Sequence, residues 1–276
     1  MTLGIVGESA VADWIRDAAE TETDVAHASA SAVVAADPES VVAVGESALL
    51  ALGREGLDAP VLPVDAGPGY GGVSLDASES GPTGDDSDST DTPTSTDDST
   101  PTKAERERLS SALDALLARE FDTDSRTLLA VTVDGERVGP ALADVMLITA
   151  EPARISEYAV RSRGERVARF RADGVVVSTP TGSLGYGRNA GGPLLEPGSG
   201  VVGVVPVAPF AVNVDHWVLS ADRPVTLTVE RDEGEVSLLL DDRTVRRVSP
   251  HTAVEVVEDG SLDVVRVTES RPFFER

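Results

Sequence analysis

The sequence predicts an α/β domain followed by an all-β domain. Before residue 76, short apolar runs alternate with segments of helical spacing. From residue 127 onward, short runs rich in β-branched residues recur at intervals that leave little room for helices between them. Between these regimes lies a tract of Ser, Thr, Asp, Gly and Pro at residues 76–102. The boundaries that follow are residues 1–75 with 103–120 for the α/β domain, 76–102 for an acidic insertion, and 121–276 for the β domain.

In chain order, residues 2–6 form an apolar strand ended by Gly7, and Ser9 caps a helix carrying Val11, Trp14, Ile15 and Ala18 on one face. A weak strand is expected at residues 24–28 and a turn at Asp37-Pro38. Residues 41–44 are a buried-strand run, after which Gly45, Glu46 and Ser47 turn the chain into a helix at residues 48–54. Residues 61–64 make another strand, followed by a glycine-rich loop at 65–72. The tract at 76–102 has too few apolar residues to offset its chain entropy and is expected to be disordered. A helix then covers residues 103–120, with Leu109, Ala112, Leu113, Leu116 and Leu117 as its apolar stripe. The β region opens with a hairpin turning at Asp134-Gly135. Strands are expected at 145–149, 154–160, 166–171, 175–178, 201–207, 225–230 and 236–240, with turns at 232–234 and 258–260.

The 276 residues include 48 Asp and Glu against 23 Lys and Arg, a net charge of −25, and Lys103 is the one lysine. Carboxylate excess of this kind suits a high-salt cytoplasm, where hydrated acids keep a protein in solution and salt screens their repulsion. No basic stripe exists to neutralise phosphates, which argues against nucleic acid as a partner. There is no cysteine, so disulfides and thiolate metal sites are excluded. His27, His216 and His251 do not cluster, and no metal-ligand pattern is present. The N-terminal residues lack the pattern of a secretory signal, and no apolar run reaches the ~20 residues needed to span a bilayer. The expectation is a cytoplasmic protein with neither membrane nor nucleic-acid partners.

The stretch richest in chemistry runs from Asp173 to Leu195, DGVVVSTPTGSLGYGRNAGGPLL. A strand breaks into a loop of small hydroxyl and glycine residues, where a backbone can approach a ligand and Thr or Ser can bond phosphate or sugar oxygens. Tyr186 offers a surface on which a ring can stack. Asp173-Gly174, the STPTGS run at 178–183, Tyr186 and the AGGP run at 190–193 all fall in one register. In that register the stretch resembles the signature of the NAD kinases. The resemblance implies an N-terminal α/β domain, a C-terminal β domain and a ligand cleft between them.

It also implies particular roles. Asp144, Arg171, Asp173, Thr179, Thr181, Gly182, Ser183, Leu184, Gly185, Tyr186 and Asn189 would hold a dinucleotide of the NAD or NADP type. The family's GGDG loop, whose aspartate takes the proton from the ribose 2′-hydroxyl, matches Val44-Gly45-Glu46-Ser47. Glu46 thereby becomes the candidate base, with Gly45 and Ser47 as the phosphate loop. The alternative for Glu46 is an exposed helix N-terminal acid favoured by the macrodipole. Family members use Mg²⁺ with ATP or polyphosphate, and commonly associate through the β domain, which implies a homo-oligomer. The chain departs from the pattern where Val44 and Ser47 replace glycines, where Glu46 replaces the aspartate, and where Ala143 replaces the asparagine of an Asn-Glu pair whose acid is matched by Asp144. The apolar-Asp-Gly hairpin of the family reads Leu240-Asp241-Asp242 here. A carboxylate moved by one methylene is displaced by ~1 Å, enough to lower a rate by about 10²-fold. The expected function is therefore an NAD kinase-like protein that binds a dinucleotide with eroded catalytic motifs. The alternative is an active NAD kinase that phosphorylates the adenosine-ribose 2′-hydroxyl.

Overall fold

The computed structural model describes residues 2–75, 100–151, 154–212, 214–231 and 234–274. The expectations for residues 76–99, and the turn at 232–233, lie outside these. The N-terminal part runs β1 (Thr2–Val6), α1 (Ala10–Ala19), β2 (Asp24–His27), α2 (Ala30–Ala35), β3 (Ser40–Val44), α3 (Glu46–Glu55) and β4 (Val61–Val64), then α4 (Lys103–Ala118). Its four strands pair in parallel in the order β4-β3-β1-β2. β4 is buried at every position and β3 at all but its last. That is the signature of a parallel sheet covered on both faces, and it explains the continuous apolar runs. The Ser9 hydroxyl accepts from the Ala12 N–H and caps α1. Thr102 and Glu105 form a reciprocal capping box on α4, so the order of that helix begins inside the tract assigned to the insertion.

The remainder is β5 (Asp122–Val133), β6 (Glu136–Ala141), β7 (Asp144–Thr149), β8 (Ser156–Ser162), β9 (Glu165–Ser178), a 3₁₀ turn (Gly182–Leu184), α5 (Tyr186–Asn189), β10 (Val201–Pro209), β11 (Trp217–Ser220), β12 (Val225–Arg231), β13 (Val236–Leu240), β14 (Arg243–Val248) and β15 (Ala253–Arg266). These strands pair in antiparallel fashion among themselves. β12 and β13 alternate buried with part-buried residues, as one-sided strands do. Their inward residues, among them Val225, Leu227, Leu238 and Leu240, join the main core with Tyr158.

One hydrogen-bonded path runs β14-β13-β7-β9-β8-β12-β15-β4-β3-β1-β2 and so crosses from the β part into the α/β part. The crossing is at β15, where Val264 pairs in parallel with Val61. Leu262 and Val264 pack with α3 and β3 residues, and Val265 with those of α1 and α4. The end of the chain thus returns to the N-terminal core.

Several sequence expectations are corrected. The helix α2 was not expected, because its Ala- and Val-rich six residues carry no recognisable helical stripe. α3 starts at Glu46 rather than at residue 48. The runs at 166–171 and 175–178 are one strand, β9. Gly174 between them is a point of close approach, since a Cβ there would stand 2.5 Å from the Leu147 carbonyl oxygen. Residues 258–260 do not separate two strands but form a bulge within β15, with a register shift between Glu258 and Ser261. β11 and β14 were also missed; β14 is mostly exposed and rich in arginine.

Candidate functional site

Where the two parts meet, a cleft of about 260 Å³ opens. One wall comes from the N-terminal part through Glu46, Leu50, Ala66, Pro68 and Tyr70; the other from the C-terminal part through Asp144, Met146, Thr181, Gly182, Tyr186 and Asp241. Glu46 is the first residue of α3, which leaves β3 through Gly45. Gly45 carries the positive φ of 86° at this corner, so the one glycine kept from the motif falls where the backbone needs it and Val44 is not forced into that region.

The Glu46 carboxylate is held rather than loose. Tyr70 is buried and donates its hydroxyl to Glu46 Oε1 at 2.7 Å. Burial first, and then the Glu46 charge, push the Tyr70 phenol well above its ordinary range, which keeps it a donor. The loop bearing Tyr70 meets the Thr/Gly loop directly: a Cβ on Gly69 would lie 2.7 Å from the Thr181 carbonyl oxygen.

On the opposite wall Asp144 begins β7 and is 8% exposed. It accepts from the Ser178 hydroxyl at the end of β9. Burial raises its pKa to about 7, with the Ser178 hydrogen bond opposing and the Asp241 and Glu46 charges adding. Asp241 is the clamp of this wall. Its Oδ1 accepts from the backbone N–H groups of Leu142, Ala143 and Asp144 at 3.1, 2.8 and 3.1 Å. Its own N–H donates to the Asp144 carbonyl at 2.9 Å. Burial nonetheless raises the Asp241 pKa, against those three donors and the nearby Arg54. Gly182 fits only because it lacks a side chain: a Cβ would sit 2.3 Å from the Ala143 carbonyl oxygen and 2.5 Å from Asp144 Oδ1.

Of the residues singled out from the sequence, Glu46, Asp144, Thr181, Gly182, Gly185 and Tyr186 line this cleft together. Tyr186 is 38% exposed, and its phenol is raised by burial and by the Asp144 and Asp173 charges. Others are placed elsewhere. Thr179 donates its hydroxyl to the Leu142 carbonyl at 2.7 Å and Ser183 donates to the Pro180 carbonyl at 2.6 Å. Both hydroxyls thus brace backbone carbonyls, and neither residue is in the cleft lining. Leu184 is buried. Arg171 and Asn189 are exposed and outside the cleft lining, and Arg171 lies under the Phe210 ring at 5.6 Å. Asp173 offers its carbonyl to Tyr158. Ser47 is exposed on α3 and outside the lining. Sequence reasoning missed Tyr70 and Asp241. The glycine spacing around Tyr70 and the Leu-Asp pair ending β13 were visible, but what they touch was not.

Carboxylates and a phenol on two walls, with a stacking ring and a glycine-rich backbone between them, can grip a polar ligand bearing hydroxyls. Among the described residues, no three His, Asp or Glu are grouped to hold a metal ion. A nucleotide-borne Mg²⁺ needs only one or two protein carboxylates, and the carboxylates of Glu46 and Asp144 are of the right type for that.

The fold defines a two-domain protein with a cleft at the domain junction. Residues 142–266 match the ATP-NAD kinase C-terminal domain, and this part of the chain belongs to that domain family. The NAD kinase of Methanospirillum hungatei is 28% identical over 160 residues, 58% of this chain and 59% of that one. That of Methanosarcina acetivorans is 34% identical over 136 residues, 49% and 50% of the two chains. The chain thus spans about half to three-fifths of the length of these relatives. The fold is shared with an NAD kinase from Archaeoglobus fulgidus in complex with ATP, at a TM-score of 0.69 and 20% identity, covering 98% of this chain and 95% of that one. It is shared also with yeast NADH kinase complexed with NADH, at 0.70 and 15%, covering 98% and 84%. No helix among the described residues is long and apolar enough to cross a membrane.

Proposed function

We propose that this chain binds an NAD(P)-type dinucleotide in the interdomain cleft and that its catalytic loop is eroded to the point of little or no phosphoryl transfer. The observation that carries the reading is the junction itself. Tyr186, Thr181 and Gly182 face Glu46 and Tyr70 across one cleft, while the family's base position holds a longer acid already engaged by the Tyr70 hydroxyl. Tyr186 supplies the stacking face and Asp144 an acceptor for sugar hydroxyls. Ala143 supplies no amide where the family has one, so a hydrogen bond worth about 1 kcal/mol is lost.

The second reading, an active kinase, is favoured by one specific feature. Glu46 does stand in the cleft with Oε1 anchored by Tyr70, which would aim the other oxygen at a ribose hydroxyl as base. When bound, Mg²⁺ with ATP or polyphosphate supplies the phosphoryl donor and neutralises its charge. The chain's own part is to hold the acceptor, to take its proton at Glu46 and to keep the ring stacked on Tyr186.

Two measurements on the purified protein in molar KCl separate the readings. Melting temperature is followed against NAD and NADP, and NADP formation is followed with NAD, Mg²⁺ and either ATP or polyphosphate. A ligand-dependent rise without turnover is the expected result. Turnover that is abolished in Glu46→Gln would establish the kinase reading instead, and neither a rise nor turnover would remove both.

A further inference from the structure

A second cavity, of about 170 Å³, lies beside the loop that carries Tyr70 and is lined in part by Gly71, Gly72, Asp124, Arg126, Arg266 and Arg271. Tyr70 faces the dinucleotide cleft, while its neighbours Gly71 and Gly72 face this one. Arg126 is the unusual residue. It sits on β5, is 3% exposed, and its Nε and Nη1 have no hydrogen-bond partner among the described residues. Its nearest carboxylate, Asp124 Oδ2, stands 3.7 Å from Nη2, too far for a hydrogen bond. That same carboxylate is shared with Arg266, whose Nη1 is 3.8 Å from Asp124 Oδ1. The Phe273 ring covers the guanidinium at 5.0 Å, which offers attraction but accepts no classical hydrogen bond.

A guanidinium is never neutral in a protein, so burial cannot be relieved by losing a proton. A buried charge with open donors is costly and calls for an acceptor. Two features leave room for one. Gly71 packs against the guanidinium, with the place of a Cβ 3.4 Å from Arg126 Nη2, and its φ of 76° disfavours any side chain there. The cavity has the volume of several waters at about 30 Å³ each, enough for one oxyanion and part of its shell. Three arginines face two carboxylates here, Asp124 and, beside Arg266, Asp122 at 3.6 Å. In a chain of net charge −25, this is a local excess of positive charge.

We propose that this cavity is an anion site, distinct from the dinucleotide cleft, in which Arg126 with Arg266 and Arg271 holds a tetrahedral oxyanion, a phosphate or the terminal phosphoryl of a longer chain. Burial lowers the Arg126 pKa and Arg266 lowers it further, against Asp124, which is the direction an added anion reverses. Because Gly71 adjoins Tyr70, the occupant sits one residue from the group that holds Glu46.

The test is calorimetric titration of the full chain with inorganic phosphate and, separately, with tripolyphosphate, in KCl at fixed ionic strength. Saturable binding is expected in the wild type and in Tyr186→Ala, and no binding in Arg126→Met. Arg271→Ala, a change at an exposed position, is expected to weaken binding roughly tenfold, the size of one charge-assisted hydrogen bond. Tighter binding of tripolyphosphate would identify the occupant as a phosphoryl chain, and equal affinity as a single oxyanion. Absence of saturable binding overturns the proposal, as does undiminished binding in Arg126→Met or loss of binding in Tyr186→Ala. Should Arg126→Met fail to fold, unchanged affinity in Arg271→Ala overturns it alone.

Discussion

Replacing Asp241 by alanine removes the acceptor that ties three consecutive N–H groups, those of Leu142, Ala143 and Asp144, to the end of β13. Hydrogen bonds to a charged acceptor are worth about 1.5–3 kcal/mol each, but three donors on one carboxylate are not additive, and water reaches part of this wall. Burial of the charge also offsets part of the gain, since it raises the Asp241 pKa. The net loss for Asp241→Ala is therefore set at about 3 kcal/mol, the size of one or two such bonds. At about 2–4 °C per kcal/mol for a chain of this size, the melting temperature falls by roughly 6–12 °C. Asp241→Asn keeps one carbonyl oxygen in place and sheds the buried charge, so it loses about 1 kcal/mol or less. The assay is thermal unfolding followed by circular dichroism in molar KCl, with dinucleotide affinity measured in parallel. Affinity should fall in the alanine variant because residue 144 loses its backbone anchor. An Asp241→Ala protein that melts within about a degree of wild type would refute the clamp. So would an asparagine variant as damaged as the alanine one.

Other outcomes follow from the same geometry. With a folded pKa of about 7 for Asp144 and an unfolded value near 3.9, the folded state binds the extra proton between those values. Stability should fall as pH rises from about 4 to about 7 and level off above, by about 4 kcal/mol from this group; Asp144→Asn removes that component, and equal slopes in both proteins would discount the buried acid. Tyr186→Ala should weaken dinucleotide binding by about tenfold through loss of the stacking face, measured by titration; unchanged affinity takes Tyr186 out of the site. Tyr70→Phe should cost about 1–2 kcal/mol by leaving Glu46 Oε1 without its 2.7 Å donor, read by thermal melting. Gly182→Ala forces a Cβ to 2.3 Å from the Ala143 carbonyl oxygen, and a melting temperature as high as wild type would show that the loop can move aside.

The sequence alone was enough for the architecture. Parallel strands buried on both faces read as unbroken apolar runs, as at residues 41–44 and 61–64, and one-sided strands read as alternation, as at 225–230. Both periods belong to the local chain and survive without knowledge of partners. The glycine, threonine and tyrosine run at 179–186 was equally visible, and with it the family. What failed locally were features whose cause is a neighbour. Gly174 looks like a break until the Leu147 carbonyl is seen against it, and the Glu258–Ser261 bulge looks like a turn until its pairing to β5 is known. The site was decided still further from the chain's local order. Thr179 and Ser183 carry the hydroxyls a phosphate loop wants, yet both are bonded to backbone carbonyls. Tyr70 and Glu46, 24 positions apart, meet only through the packing of a loop against a helix. Asp241 and residues 142–144 are separated by nearly 100 positions and joined by hydrogen bonds to backbone N–H groups. Backbone donors are identical at every residue, so sequence carries no mark of which of them a distant carboxylate will find; only the register of β13 against β7 settles it.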